Sequence, residues 1–406
     1  MSTGRRQFLE TVGAFTILGS RLVRGSQANS AVRVGLLGCG HRGSTHAETI
    51  NKHTDGTVVA LADLFQDQLD RAKQRFSSAT KTFVGPKAYE QIVESKDVDA
   101  VVIATPPYFH PEHLEAAVAA GKHVYCEKPV AVDVAGAKHV LEIGKKAEGK
   151  VSLDVGFQIR SAPPFVELVK RIHEGALGDI WAATAHYFCP LPDYQQWPDA
   201  KGQEARLRHW LQDRVLSGDI IVEQNIHAID ICNWVLQAHP VKAVGRGGRN
   251  GRNEGEDIYS HFDVVYEYPS GAHVSFSSTQ FGKGQFDVNE RFFGTKGNSQ
   301  SPYTGTLGIT GDQPWTWAGS ETSKEATFSA SGSFSDNLAQ ADSEKQKGFI
   351  NSITSGQFHN QAAGGVESAL TAMLGRKAAY TGREVTWDEL LHSNEKWESG
   401  INIAKL

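Results

Sequence analysis

The sequence predicts an α/β protein whose first domain is a doubly wound parallel sheet. Three observations predict it. An apolar strand, Val32–Leu37, runs straight into the turn Gly38-Cys39-Gly40-His41-Arg42-Gly43. Short apolar runs then alternate with helical stretches as far as Val155. Further along, His261–Tyr268 and Ala272–Ser278 alternate apolar and polar residues around Pro269-Ser270-Gly271, the pattern of a hairpin with one buried face. Strands separated by helices need crossover connections, which lay the strands parallel with helices on both faces. At 406 residues the chain is too long for one ordinary core and suits two domains.

Each element has a local reason. In the first turn, Gly38 permits the tight bend, Gly40 lets a ligand approach the backbone, and Gly43 lets the following helix pack on the strand. That helix is expected from about Ser44 to Lys52, with its free N–H groups facing a pyrophosphate. A second strand, Thr57–Ala62, ends in Asp63, twenty residues beyond Gly43. A carboxylate there accepts hydrogen bonds from both ribose hydroxyls and repels a 2′-phosphate, so NAD is favoured over NADP. The competing role for Asp63 is to cap the helix that begins near Gln66. The strand Ala100–Ile103 leads to Thr105-Pro106-Pro107, a turn at the carboxyl end of the sheet, where ligands of such folds bind. A helix over His110–Ala120, a strand over His123–Cys126 ending in Glu127-Lys128-Pro129, a helix over Val132–Glu148 and a strand over Val151–Val155 complete the series. The expected cofactor contacts are therefore Gly38, Cys39, Gly40, His41, Arg42, Gly43, Asp63, Thr105, Pro106, Glu127 and Lys128.

Composition narrows the function classes. Hydrophobic residues at 40% and charged residues at 21% describe an ordinary globular chain. A net charge of -5 argues against a nucleic-acid partner, which requires a concentrated basic face. The four cysteines form no Cys-x-x-Cys pair, and no metal site is expected. Arg5-Arg6-Gln7-Phe8-Leu9 precedes an uncharged stretch, Thr11–Ser20, and small residues at Ser26-Gln27-Ala28 offer a cleavage point before Asn29. Residues 1–30 thus read as a twin-arginine export signal, implying a periplasmic protein; a frayed helix in a cytoplasmic enzyme is the plainer alternative. The apolar run is too short to span a bilayer, so no stable membrane insertion is expected.

Taken together, Gly38–Gly43 after a first strand, Ala104-Thr105-Pro106-Pro107, Ala119-Ala120-Gly121-Lys122-His123-Val124 leading into Cys126-Glu127-Lys128-Pro129, Gly156-Phe157-Gln158-Ile159-Arg160, and Gly375-Arg376-Lys377-Ala378 through Trp387 resemble the glucose–fructose oxidoreductase / inositol dehydrogenase (Gfo/Idh/MocA) family. The resemblance covers most of the chain after residue 30. It implies an N-terminal Rossmann domain over residues 31–153 and a C-terminal α/β domain with a large, mostly antiparallel sheet over 154–406. The hairpin agrees, with Phe262, Val264, Tyr266 and Tyr268 on one face and Val274 and Phe276 returning. Residues 298–336, rich in Gly, Ser and Thr, read as loops and short strands. The implied activity is NAD(P)-dependent transfer of hydride between a hydroxyl of a sugar, glycoside or polyol and nicotinamide. The alternative is a glycosidase that retains NAD and proceeds by oxidation, elimination, hydration and reduction. The implied partners are a small carbohydrate and further copies of the chain, as a dimer or tetramer.

The resemblance also points to a catalytic set of Lys128, Glu223 and His227. The lysine of Glu-Lys-Pro is expected near the reacting carbon, where its ammonium polarises a carbonyl or holds an alkoxide. A helix beginning near Glu223 would place Glu223, His227 and Asp230 at i, i+4 and i+7 on one face. His227 would then act as general base, with Glu223 orienting it or the substrate. This chain departs from the family pattern here: Asp219 interrupts the glycines, Glu223 stands at the Asp position and Asn225 at the Gly position. Arg160, Tyr187, His209, Trp210 and Asp230 are candidates to line a sugar pocket, with Tyr108 and His110 beside them; for each, ordinary packing is the competing account.

Overall fold

The structure, a computed structural model, describes residues 31–79, 81–190, 197–252, 256–280, 286–319 and 336–406. The expected export signal lies outside the described residues, as does the later part of the 298–336 segment.

The first sheet consists of β1 (Val32–Leu37), β2 (Gly56–Asp63), β3 (Lys81–Val84), β4 (Ala100–Ile103), β5 (His123–Cys126) and β6 (Leu153–Val155). All six run parallel, in the order β3-β2-β1-β4-β5-β6. Helices α1 (His41–His53), α2 (Gln66–Arg75), α3 (Ala88–Glu94), α4 (His110–Ala119) and α5 (Val134–Ala147) make the crossovers. Strand order reverses between β1 and β4, and the crevice beyond their carboxyl ends is where this topology binds ligands. Helix α1 begins at His41, earlier than expected, because the glycine turn is itself the helix N-terminus: Ser44 N donates to Gly40 O at 2.9 Å. Strand β4 is buried throughout, which explains its unbroken Ala-Val-Val-Ile run. Edge strand β3 is mostly exposed and carries no apolar pattern.

The second layer starts with α6 (Pro163–His173) and β7 (Ile180–Cys189). Four short helices follow: α7 (Gly202–Arg208), α8 (Arg214–Ser217), α9 (Ile220–Glu223) and α10 (Ile226–Leu236). The chain then forms β8 (Lys242–Gly248), β9 (His261–Glu267), β10 (His273–Gln280), β11 (Asp287–Gly294), β12 (Gly297–Gln300), β13 (Gly308–Gly311) and β14 (Trp315–Thr316). It continues through α11 (Ala341–Ser355), α12 (Ala362–Thr381), β15 (Val385–Thr386) and α13 (Trp387–His392). Nine strands pair in the order β14-β13-β12-β11-β7-β10-β9-β8-β15. Every pairing is antiparallel except β7 with β10. The expected hairpin is β9–β10, and Phe262, Val264, Tyr266, Val274 and Phe276 are buried on its inner face.

The later helices return to the first sheet. Phe349 and Ile350 of α11 are buried against Val34, Leu36 and Ile50, and Asn360 bridges to Leu153 of β6. Residues beyond 340 therefore complete a core begun before residue 60. Among the described residues no helix is long and apolar enough to cross a membrane.

Candidate active site

The glycine turn after β1 is built as a phosphate cradle. Gly38 has φ +94°, and a Cβ there would lie 2.5 Å from Ala104 O. A Cβ on Gly43 would lie 2.0 Å from Gly38 O, so only glycine lets α1 start this close to the strand. Gly40 differs: a Cβ there would meet no protein atom, so it would project into the open crevice where a ligand phosphate would sit. With the free N–H groups of the first turn of α1, these residues fit a dinucleotide.

Asp63 closes β2 beside this turn. Its carboxylate accepts from Cys39 N at 2.7 Å and from Phe65 N at 2.9 Å. Burial pushes its carboxyl up, and these two N–H bonds oppose that. It does not cap α2; it ties the glycine turn to β2 and lines the crevice. The crevice is a cavity of about 650 Å³, within the range of cofactor sites. Of the expected cofactor residues, Gly38, Gly40, His41, Arg42, Asp63, Thr105 and Pro106 line it.

Four do not. The Cys39 side chain turns into the core, its Sγ 3.5 Å from Ala62 O. Gly43 is packed under the turn. Glu127 points inward, where its Oε1 accepts from Arg42 Nε at 2.9 Å and faces His46 Nε2 at 2.6 Å. Arg42 in turn donates to both carboxylate oxygens of Asp342 on α11, at 2.7 and 2.9 Å. Burial alone would raise the Glu127 carboxyl, but the Arg42 guanidinium and His46 hold it well below the usual carboxylate range. Its Oε2 accepts from Lys128 N at 3.0 Å, so this buried network anchors the backbone at Lys128. Lys128 itself lies outside that cavity, at the carboxyl end of β5, two strands from Gly38 or roughly 10 Å across the sheet.

Lys128 meets the second domain. Its Nζ donates to Glu223 O at 2.6 Å and to Glu223 Oε1 at 2.9 Å, with both side chains largely buried. The expected continuous helix from Glu223 is absent: α9 ends there, Gln224 and Asn225 intervene, and His227 stands in the first turn of α10. The break has a physical cause. Asp219, with φ +72°, caps Ile220 and accepts from Tyr259 N, fixing where α9 starts. Asn225 N and Gln224 N then share Ile220 O, and the Gln224 Oε1 accepts from Gln280 Nε2 on β10 at 3.0 Å. Glu223 thus serves Lys128 and not His227. His227 is buried, its Nδ1 without a partner and its ring edge-on to Phe157 at 6.2 Å. Burial, reinforced by the Lys128 charge, holds its imidazole neutral well below the ordinary histidine range.

The expected substrate contacts divide. Arg160 donates to both oxygens of Asp230 at 2.8 and 2.9 Å, and Ser368 Oγ donates to the same carboxylate at 2.6 Å. Arg160 and Asp230 therefore satisfy each other across α10, where Arg160 also lies over Trp234. Tyr187 is buried on the inner face of β7, edge-on to Phe286 and Tyr303. His209 and Trp210 line the nucleotide cavity instead, because the turn after α7 lies over Leu64 and Phe65. His110 is buried, bridging Pro129 O and Thr105 O at 2.7 Å each, and the Tyr108 hydroxyl accepts from Ser399 N.

Sequence reasoning missed Asp342, 300 residues from Arg42, and the roles of Asp219, Gln224 and Gln280. It also missed Arg376, which is buried and donates to Val132 O and Gly218 O, holding the Lys128 loop against the approach to α9. The signal for Arg376 was present in Gly375-Arg376-Lys377-Ala378 but carried no indication of its partners. Among the described residues no three His, Cys, Asp or Glu side chains converge as a metal site.

Comparison with known proteins identifies the family and the fold. Residues 32–155 match the model of the oxidoreductase family with an NAD-binding Rossmann fold, and residues 165–300 match the GFO/IDH/MocA C-terminal domain. The chain is 27% identical to inositol 2-dehydrogenase of Rhizobium meliloti over 277 residues, 66% of this chain and 74% of that one. It is 25% identical to myo-inositol 2-dehydrogenase of Thermotoga maritima over 371 residues, 89% of this chain and 100% of that one. The fold is similar to the crystal structure of scyllo-inositol dehydrogenase from Lactobacillus casei with bound NAD(H) and scyllo-inositol. The TM-score is 0.69 at 20% identity, covering 88% of this chain and 100% of that one. With a glycine cradle that fits NAD and both halves of the family matched in order along one chain, the protein belongs to the Gfo/Idh/MocA family of NAD-binding oxidoreductases.

Proposed function

We propose that this protein oxidises a ring CH–OH group of a cyclic polyol or sugar, with NAD as the acceptor. The observation that carries the reading is the Lys128–Glu223 pair beside a neutral His227, at the same end of the sheet as the glycine cradle. Bound NAD supplies the nicotinamide carbon that receives the hydride. The residues of the chain do the rest. The neutral imidazole of His227 takes the hydroxyl proton. An ammonium has three donors, and Lys128 spends two on Glu223, leaving one to hold the substrate oxygen. Glu223 and the Glu127 network position that ammonium. Gln158 Oε1, Asn225 Oδ1 and His227 Nδ1 are buried without partners on segments flanking this pair, a set of groups suited to a ligand bearing several hydroxyls. The relatives named above are inositol dehydrogenases, which supports a polyol substrate and net redox chemistry over glycoside cleavage.

The test is NADH formation on adding inositols and aldoses, in the wild type and in Lys128→Ala. Turnover on a polyol, lost in the variant, supports the assignment; unchanged turnover in Lys128→Ala overturns it.

We further propose that the protein is exported and self-associates. Arg5-Arg6 before an uncharged stretch supports export, and fractionation of cells carrying Arg5→Lys with Arg6→Lys tests it: export that ignores the substitution removes the proposal. The outer face of the second sheet supports self-association. It exposes Trp181 at 62%, Val244 at 45% and Val265 at 39%, and light scattering that finds only monomer would remove that proposal.

A further inference from the structure

The nucleotide cavity has a wall that the first domain does not supply. Asp63 ends β2, the position that meets the ribose of the adenosine half in this topology, so the space beside Leu64 and Phe65 belongs to that half. The turn after α7 lies across this space. Arg208 is centred 3.9 Å from the Phe65 ring and 5.4 Å from the Trp197 ring. It also donates to Asp67 Oδ1 on α2 at 3.0 Å and to Glu204 Oε1 at 2.7 Å. Leu207 and Trp210 pack with Leu64, Phe65 and Phe109 in a small core separate from the two main ones.

A second strand of chain backs this cover. Arg206 donates to Ser399 O at 2.7 Å, and Asn402 N donates to Gln203 Oε1 at 2.7 Å. Ile401 and Ile403 join the same apolar cluster, and Ile403 reaches the cavity wall. The cover is thus tied to the first domain by Arg208 and braced from behind by residues 399–403.

We propose that residues 197–212, braced by 399–403, form an adenosine subsite that closes over the dinucleotide, so that breaking the Arg208 contacts to Phe65 and Asp67 governs cofactor release. The inference rests on the NAD reading above and assigns the second domain a part in holding the cofactor. An aromatic and guanidinium wall suits the flat, electron-rich adenine ring. A wall that bridges two domains can part, and its parting widens the way out for the ligand.

The experiment uses the full chain loaded with NADH. Excess NAD displaces the bound NADH in a stopped-flow instrument, and the fall in nicotinamide fluorescence gives the release rate. Arg208→Ala is expected to release NADH about tenfold faster, as the loss of a desolvated cation–aromatic contact implies. Asp67→Asn, on the partly exposed face of α2, is expected to speed release by a smaller factor and serves if Arg208→Ala fails to fold. Release rates in the folded variants within twofold of wild type would overturn the proposal. The two readings fail separately. Faster release in the variants of a protein inactive on every polyol leaves the subsite standing and removes the substrate assignment. Turnover with unchanged release does the reverse.

Discussion

Glu290 offers a quantitative test of the second domain. It sits on β11 with no exposure, its Oε2 accepting from Ser301 Oγ at 2.8 Å and its Oε1 without a partner. Burial pushes its carboxyl up from 4.5 to about 8. The folded protein therefore holds the neutral acid, whereas the unfolded chain ionises at the ordinary value. The resulting stabilisation is complete below about pH 4.5 and is lost as pH rises through about 8. At ~1.36 kcal/mol for each tenfold change in proton activity, that interval sets a ceiling of about 5 kcal/mol. Glu290→Gln keeps the shape and removes the titration. Wild type and variant should match near pH 5 and separate by several kcal/mol near pH 8, the variant being the more stable. Urea unfolding at a series of pH values reads this difference, and groups common to both proteins cancel from it. Two curves that stay parallel between about pH 5 and 8 would show that Glu290 is not held neutral, and the reasoning would fail.

Other expectations bear on the site. His227 is held neutral well below 6.5, so kcat/KM should keep its base form as pH falls through 6.5, with the acid limb displaced below it. A limb at or above 6.5 that disappears in His227→Ala would contradict this. Gly40→Ala places a methyl in the cradle and should weaken NADH binding about tenfold or more at unchanged melting temperature. Gly43→Ala drives a methyl against Gly38 O and should instead destabilise the fold by about 1–3 kcal/mol or more. NADH titration and thermal melts on both variants check the pair, and equal effects would refute it. Asp342→Ala removes the two-oxygen partner of the Arg42 guanidinium, which keeps its pair with Glu127, and should cost about 2–3 kcal/mol in urea unfolding. A loss below about 1 kcal/mol would mean that the Asp342 pair contributes little to holding Arg42.

What could be read from the sequence was what is encoded locally. Gly38–Gly43 and the runs of β1, β4 and β5 carry their own geometry, and Lys128 follows a strand whose end is unmistakable. Strand β3 escaped because Lys81–Val84 lies at an exposed edge and needs no apolar pattern. The pairings escaped for a different reason. Arg160 and Asp230 have the chemistry of a sugar site but lie 70 residues apart in sequence and neutralise each other. Glu223 and His227 have helical spacing, yet the helix breaks between them because Gln224 is held by Gln280, 56 residues on. His209 and Trp210 were expected at a sugar pocket; they line the nucleotide cavity instead, a placement that depends on how the turn after α7 lies over Phe65.

The nucleotide cavity draws its wall from residues as far apart as Leu37 and Ile403. A ribosome that has finished β1 and β2 still has more than half of the chain to add before Phe349 and Ile350 arrive to cover Leu36 and Ile50. The nascent first sheet therefore spends most of synthesis with an apolar side uncovered, a state that favours association with chaperones or other nascent chains. The complete pocket exists only after translation has passed residue 403. The glycine cradle is thus made early in synthesis and the wall that faces it late, so the cofactor meets its whole pocket only after residue 403 has been added.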